Sequence, residues 1–184
     1  MKVFLIHGSN SSPADNWFPW LKKELENLGV EVIAPDFPKP PKQNLANWMK
    51  TFEKYLPEID SQTIFVAHSL GPAFVLSILE KAKKPVKACF FVSGFIGPLG
   101  LKDFDPMNKT FTEKEFEFTN IRATSKKFIS FASNDDPYVP LEKTREFSRE
   151  INAKLIIVPL AGHFNTKSGY TQFDKLLEEI KKEL

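Results

Sequence analysis

Residues 64–67 form a short apolar segment whose side chains favour a strand buried on both faces. After Gly71, the apolar run over residues 72–80 predicts a buried helix. Ser69 lies at the junction, and the residues two positions away on either side, Ala67 and Gly71, are both small. A strand and a helix joined this closely predict a turn that lifts the Ser69 hydroxyl clear of the sheet.

Small neighbours are what a nucleophile on a sharp strand-to-helix turn requires, because larger side chains two residues away would collide. The pattern here is Ala-x-Ser-x-Gly, in which Ala replaces the commoner first Gly and still provides a small side chain. The pentapeptide alone also fits an ordinary buried turn with an incidental serine. The interpretation of Ser69 as a nucleophile therefore depends on an acid, a base and an oxyanion hole elsewhere in the chain.

Five further segments predict strands, and they alternate with helical patterns. The predicted strands are residues 3–6, 30–34, 86–92, 128–132 and 155–158. The other predicted helices are residues 17–28, 45–56, 141–151 and 171–184. This alternation predicts an α/β fold with a six-stranded parallel sheet between two layers of helices. A chain of 184 residues fits one such domain, spanning residues 1–184.

The loop after the first strand, residues 7–12, is rich in turn-forming residues. It has neither the Gly-x-Gly-x-x-Gly pattern of dinucleotide sites nor the Gly-Lys-Ser/Thr ending of a P-loop. A His-Gly loop in this place can offer backbone N–H groups to an oxyanion. Gly8 allows a close approach, and the candidate donors are Ser9 or Asn10 together with the N–H of Leu70. A solvated connection between strand and helix is the alternative.

Residues 94–127 separate two predicted strands by about thirty residues, whereas most connections have about 4–6. Its apolar residues are Phe95, Ile96, Leu99, Leu101, Phe104, Met107, Phe111, Phe116 and Phe118. Ligands of open α/β sheets bind beyond the carboxyl ends of the strands. We therefore expect a lid-like insertion that could cover Ser69 and supply an apolar substrate wall. An additional helix packed on the domain would explain the phenylalanines equally well.

The segment after the fifth predicted strand contains two candidate acids, Asp135 and Asp136. Asp136 precedes Pro137, which restricts the Asp136 backbone to extended conformations and helps to fix its side chain. Asp135 is interpreted instead as part of an Asx turn or a helix cap. We therefore predict Asp136 as the acid.

The candidate base is His163, which follows the sixth predicted strand in the sequence Ala-Gly-His-Phe. His68 adjoins Ser69, so its side chain should point elsewhere, and His7 belongs to the first loop. Ser69, Asp136 and His163 each follow a strand, and they occur in the chain order of an α/β-hydrolase triad. Three plausible positions in one order carry more weight than any one of them.

Composition excludes several other classes of function. The net charge is +2 and the lysines are dispersed, so nothing indicates binding of nucleic acid. Three histidines far apart provide no metal motif. The single cysteine, Cys89, lies in an apolar strand pattern and fits a reducing compartment, and residues 3–6 are too short for a signal peptide. No stretch is long enough to span a bilayer, so we expect a cytoplasmic protein without membrane contact.

The chain resembles the small α/β-hydrolases of the serine hydrolase family typified by retinoblastoma-binding protein 9. The resemblance covers essentially the whole chain, and the matching residues are His7-Gly8 with Trp17, Ala67-His-Ser-Leu-Gly71, Asp135-Asp-Pro-Tyr138 and Gly162-His-Phe164. It implies a sheet order of 2-1-3-4-5-6 and esterase-type activity on small acyl substrates. The candidate pocket residues are His7, Trp17, Phe95 and Phe164. Lys87 occupies the place of Leu in a Leu-x-Cys-x-Glu motif around Cys89, so retinoblastoma-type binding is unsupported and no protein partner is predicted.

These patterns together predict a serine hydrolase, most similar to carboxylesterases, that needs no metal or organic cofactor. Ser69 would attack an ester carbonyl, His163 would accept the Ser69 proton, and Asp136 would orient His163. A peptidase or thioesterase that uses the same residues is the alternative among enzymes. A non-catalytic interaction module on the same fold is the alternative from another class.

Overall fold

The computed structural model describes all 184 residues. Its strands are β1 (Lys2–Ile6), β2 (Glu31–Ile33), β3 (Thr63–His68), β4 (Ala88–Val92), β5 (Phe128–Ala132) and β6 (Lys154–Ile157). They pair in parallel throughout and form one sheet in the order β2-β1-β3-β4-β5-β6. The predicted fold class and the sheet order implied by the resemblance are both confirmed.

Helices cover both faces of the sheet. They are α1 (Phe18–Asn27), α2 (Leu45–Phe52), α3 (Gly71–Leu79), α4 (Asp105–Thr112), α5 (Phe118–Ala123), α6 (Leu141–Glu150) and α7 (Asp174–Lys181). Apolar residues of α1 and α7 pack in one buried cluster against one face, and residues of α2 to α6 pack in a second cluster against the other. Successive strand residues point to opposite faces, so Phe4 and Ile6 enter one cluster while Val3 and Leu5 enter the other.

Some boundaries differ from those predicted. The helical stripe over residues 45–56 is α-helical only to Phe52 and continues as a 3₁₀ helix, Glu53–Glu58. Pro57 lies in that segment, and a proline has no N–H to continue the α-helical hydrogen bonds. The final helix begins at Asp174, because Phe173 has a non-helical backbone with φ −144° and ψ 74°. β4 begins at Ala88, two residues later than predicted.

The insertion after β4 contains α4 and α5, whose residues Phe111 and Ile121 are buried in the same cluster as α2 and α3. The segment is thus packed on the body of the protein and is also placed at the carboxyl edge of the sheet, so the two expectations for it are compatible. No helix of the chain combines the length and the apolar character needed to cross a membrane.

Candidate active site

Ser69 occupies a two-residue turn between the end of β3 and the start of α3. Its φ of 59° is left-handed, a conformation that costs a non-glycine residue about 1–3 kcal/mol. The Ser69 N–H donates to the carbonyl of Val92 at 2.9 Å, which anchors the turn to β4. A Cβ at Gly71 would lie only 2.6 Å from the carbonyl oxygen of Ile6. The small residue at that position is therefore a steric necessity, because β1 passes directly beside the turn.

A continuous line of hydrogen bonds connects Ser69 with His163 and Asp136. The Nε2 atom of His163 lies 3.1 Å from Ser69 Oγ. The Nδ1 atom of His163 lies 2.8 Å from Asp136 Oδ2 and 3.0 Å from Asp136 Oδ1. The predicted nucleophile, base and acid are thus brought together from the ends of three different strands. A proton on Nδ1 would leave Nε2 free to accept the hydroxyl proton of Ser69.

The side chain of Asp136 is only 1% exposed and is held by other groups besides His163. Its Oδ1 atom accepts the N–H groups of Tyr138 and Val139, and its Oδ2 atom accepts the hydroxyl of Ser93 at 2.8 Å. Burial alone would raise the pKa of Asp136. The hydrogen bond from His163 and its charge, together with the two backbone N–H groups, outweigh burial and keep the pKa of Asp136 below its ordinary value. Asp136 is thereby held as the carboxylate at neutral pH.

The side chain of Asp135 does not make the hydrogen bonds expected of an Asx turn or a helix cap. Its Oδ1 atom accepts the N–H of Gly162 at 2.8 Å, so it ties the loop that carries His163 to the loop that carries Asp136. Ser133 reinforces this link, because its Oγ atom accepts the N–H of Ala161 at 2.9 Å. The hydrogen bonds from Ser133 and then from Gly162 lower the pKa of Asp135. The turn geometry expected of Asp135 is instead found at Asp136.

His68 lies under the candidate base, with its ring centroid 4.7 Å from that of His163. Its Nε2 atom is 2.8 Å from the carbonyl oxygen of His163, and only a protonated nitrogen can donate there. Burial, followed by the charge of His163, lowers the pKa of His68 to about 3. A neutral His68 therefore holds the backbone of His163 in place by donating its Nε2–H to the His163 carbonyl.

His7 orients the candidate oxyanion loop. Its Nε2 atom accepts the N–H of Phe37 at 3.0 Å, so the ring proton is on Nδ1, which lies 2.8 Å from the carbonyl of Gly8. In a trans peptide the C=O and N–H groups point in opposite directions. The bond from His7 to the Gly8 carbonyl therefore fixes the direction of the Ser9 N–H. Burial lowers the pKa of His7, which favours this neutral form.

Gly8 brings the loop against the nucleophile. A Cβ on Gly8 would lie 2.8 Å from Ser69 Cβ and 3.4 Å from Ser69 Oγ, so only glycine allows this approach. Of the two candidate donors in the loop, Asn10 already donates its N–H to Gln43 Oε1 at 2.9 Å. The N–H groups of Ser9 and Leu70 have no acceptor within the protein. These two groups are the pair that an oxyanion could use.

A cavity of about 380 Å³ opens above Ser69. Its apolar wall consists of Phe95, Leu99, Leu101, Phe104, Tyr138 and Val139. Besides Ser69, His163 and the oxyanion loop, its polar lining includes Ser11, Asp15, Asn16, Asn165, Thr166 and Lys167. The apolar wall comes mostly from the insertion after β4, as expected, and Phe95 contributes to it.

Three other residues expected in the pocket lie outside its wall. His7, Trp17 and Phe164 are all buried in the interior. Trp17 donates its indole N–H to the carbonyl of Phe164 at 3.0 Å, and Phe164 stacks on Phe173. Large aromatic side chains bury more area inside the protein than at a rim, and here they support the loop that carries His163.

Sequence reasoning missed Ser93 and Gln43, which bond to Asp136 and to the N–H of Asn10. Ser93 directly follows β4 at the same sheet edge as Ser69, and that position was a signal that could have been used. Gln43 lies in the proline-rich connection before α2, and nothing in its sequence surroundings distinguishes it. Nowhere does the structure assemble three or more His, Cys, Asp or Glu side chains that could hold a metal ion.

The chain is similar to several known hydrolases. A family model described as serine hydrolase matches residues 3–182. The putative hydrolase YdeN from Bacillus subtilis (strain 168) is 33% identical over 188 residues, which cover 99% of this chain and 97% of that protein. Serine hydrolase RBBP9 from Rattus norvegicus is 27% identical over 176 residues, which cover 95% of this chain and 90% of that protein. The crystal structure of the ydeN gene product from B. subtilis matches with a TM-score of 0.92 at 31% identity, covering 99% of this chain and 97% of that one.

Proposed function

Because the chain belongs to the serine hydrolase family, we propose that it cleaves a small carboxylic ester through an acyl-enzyme intermediate. The observation that carries this proposal is the line of hydrogen bonds from Ser69 Oγ through His163 to Asp136. A neutral His163 with a proton on Nδ1 can accept the Ser69 proton at Nε2. Asp136, held as a carboxylate, would stabilise the charged imidazole that results.

In the first half of the reaction, Ser69 Oγ bonds to the ester carbonyl carbon while its proton passes to His163 Nε2. The tetrahedral intermediate collapses, the bond to the alcohol oxygen breaks, and His163 returns the proton to that oxygen. In the second half, water attacks the acyl carbonyl carbon while its proton passes to His163 Nε2. The bond to Ser69 Oγ then breaks, His163 returns the proton to Ser69 Oγ, and the acid is released. The N–H groups of Ser9 and Leu70 would hold the negative oxygen, and one such donor is typically worth about 3 kcal/mol in the transition state.

The cavity supports a small substrate with one apolar and one polar part. Its volume of about 380 Å³ is near the lower end of the usual range for ligand pockets, about 300–1,000 Å³. The apolar wall contributed by Phe95, Leu99 and Phe104 suits a hydrocarbon or aromatic group. The polar residues of the lining, among them Asn16 and Asn165, suit a group that forms hydrogen bonds.

A fluorophosphonate probe tests the proposal directly. It should label Ser69, and Ser69→Ala should abolish both the label and ester turnover. His163→Ala should lower kcat by roughly three to six orders of magnitude, since residues of a triad act as a unit. Ser77→Ala is the matched control, because Ser77 is a buried serine of α3 whose Oγ bonds only to the carbonyl of Ala73. Full turnover in either the Ser69 or the His163 variant would contradict the proposal.

The same residues could act on a thioester or a peptide bond, because the geometry of nucleophile, base and acid is common to acyl transfer reactions. A panel of matched ester, thioester and aminoacyl substrates with one acyl group separates these activities by their kcat/KM values. We expect the ester to give the largest value. A protein that turns over nothing in the panel and takes no fluorophosphonate label would instead be a non-catalytic interaction module.

A further inference from the structure

We infer that Gln43 is a positioning residue for the oxyanion hole and that Asn108 connects this hole to the insertion after β4. The inference rests on the proposed function, because it concerns the donor that would stabilise the oxyanion. Gln43 and Asn108 are 6% and 3% exposed, and neither contacts the cavity above Ser69. Buried side-chain amides are normally hydrogen-bonded, so the partners of these two residues show what each holds in place.

The Gln43 side chain makes three hydrogen bonds, all of them to the oxyanion loop or to Asn108. Its Oε1 atom accepts the N–H of Asn10 at 2.9 Å. Its Nε2 atom donates to Ser9 Oγ at 2.7 Å and to Asn108 Oδ1 at 2.9 Å. The Ser9 hydroxyl in turn donates to Asn108 Oδ1 at 2.9 Å, which closes a ring of three side chains.

The direction of every bond in this ring follows from one fixed donor. A backbone N–H can only donate, so the Gln43 atom that faces Asn10 must be the oxygen. The Gln43 nitrogen must then face Ser9 and Asn108, and Asn108 must present its oxygen to both donors. Reversing either amide would place two donors or two acceptors against each other. The network therefore stabilises a single arrangement of the loop.

That arrangement has a chemical consequence at Ser9. Gln43 holds the Ser9 side chain and also the N–H of the following residue, while His7 holds the carbonyl of the preceding residue. Asn10 has a left-handed φ of 49°, so the loop contains strain that these contacts must offset. With both neighbouring peptides fixed, the Ser9 N–H keeps one direction beside Ser69. Such prior orientation is what makes an oxyanion donor effective.

Asn108 is part of α4, so the insertion supports the hole as well as forming the apolar wall of the cavity. A substrate that displaces this wall would also shift the oxyanion loop, because Asn108 and Ser9 are hydrogen-bonded. We therefore expect α4 to influence the chemical step and not only substrate binding.

Gln43→Met tests the inference, because methionine has a similar length and shape but cannot form these hydrogen bonds. We expect kcat to fall about 10–100-fold with little change in KM, less than the 10²–10³-fold loss when a donor is removed altogether. Affinity for a boronic acid, which forms a tetrahedral anionic adduct on the nucleophile, should fall in proportion to kcat/KM. Asn44→Ala is the matched control. Asn44 adjoins Gln43 but caps α2, so its loss should lower stability and leave kcat unchanged.

Asn108→Leu provides a second variant on another element, in case Gln43→Met does not fold. It should lower kcat in the same way, and the double variant should be no worse than the more damaging single one, since the residues act as one network. Wild-type kcat in either folded single variant would overturn the inference while leaving the proposed function intact. Failure of the proposed function is distinct, because the wild-type protein would then show neither Ser69 labelling nor turnover, and the inference would be lost with it.

Discussion

His68, a buried neutral histidine packed against His163, should make the protein sensitive to mild acid. Burial lowers the pKa of His68 to about 3, whereas its ordinary value is 6.5. In the unfolded chain His68 takes up a proton as the pH falls through 6.5, but in the folded protein it does so only near 3. The unfolded state thus binds more protons in this range. The contribution of His68 to stability is therefore complete above about pH 7 and is lost progressively as the pH falls.

The size of the effect follows from the two pKa values. Between about pH 7.5 and about pH 5, the lost contribution amounts to about 2 kcal/mol. The full shift would be worth about 5 kcal/mol at a pH below both values, which is comparable to the whole stability of many domains. The lower limit of about pH 5 keeps enough folded protein for a measurement. Stopping at about pH 5 also avoids most of the titration of Asp136. Because the pKa of Asp136 is lowered, its contribution to the free energy of unfolding is lost only in stronger acid.

His68→Gln is the informative variant, because glutamine does not titrate and its amide N–H₂ can still donate toward the carbonyl of His163. Urea unfolding followed by circular dichroism would give the free energy of unfolding at each pH. From about pH 7.5 to about pH 5, the wild type should lose about 2 kcal/mol more than the variant. Other groups, including His7, titrate in both proteins and cancel in this difference. If the free energy of unfolding changed with pH by the same amount in both proteins, the idea that burial holds His68 neutral would be refuted.

Two further predictions concern residues whose surroundings leave little freedom. Gly71→Ala should abolish turnover and lower the free energy of unfolding by at least about 2 kcal/mol. The reason is steric, because the new Cβ would lie 2.6 Å from the backbone oxygen of Ile6. A folded variant with normal kcat would contradict this argument. Cys89 is buried, and burial raises its pKa to about 12. It should therefore not react with a thiol reagent in the native protein, but it should react fully in urea. Rapid labelling of the native protein would contradict the buried placement of Cys89 in β4.

Much of the fold could be predicted because burial leaves a strong mark on sequence. The central strands are buried along their whole length and mostly apolar, as expected when both faces are covered, and the predicted bounds of β3 and β5 differ from the observed ones by at most one residue at each end. The boundaries that moved depend on single backbone conformations. The non-helical dihedral angles of Phe173 and the 3₁₀ turns around Pro57 are local outcomes that periodicity does not encode.

The candidate nucleophile, base and acid could be located because each is a distinctive residue in the loop or turn that follows a strand. The oxyanion donors could not be reduced to one pair in the same way, because a backbone N–H belongs to every residue except proline. Excluding Asn10 required knowledge that Gln43 accepts its N–H across a separation of 33 residues. No local pattern in the connection before α2 indicates that contact. Asp135 illustrates the same limit, since its partner Gly162 is 27 residues away.

Under the proposed function, these long-range contacts have one role in common, which is to hold the groups around Ser69 in place. A nucleophile, a base and an oxyanion donor on three separate loops must keep their relative positions to within a fraction of an ångström. Loops are the more mobile parts of a fold, so each is fixed by contacts with another element. The loop of His163 is held by Asp135 and by His68, and the loop of Ser9 is held by Gln43. Loss of any one of these contacts should therefore affect the rate of the chemical step more than the stability of the fold, and kcat is the quantity in which their roles can be separated.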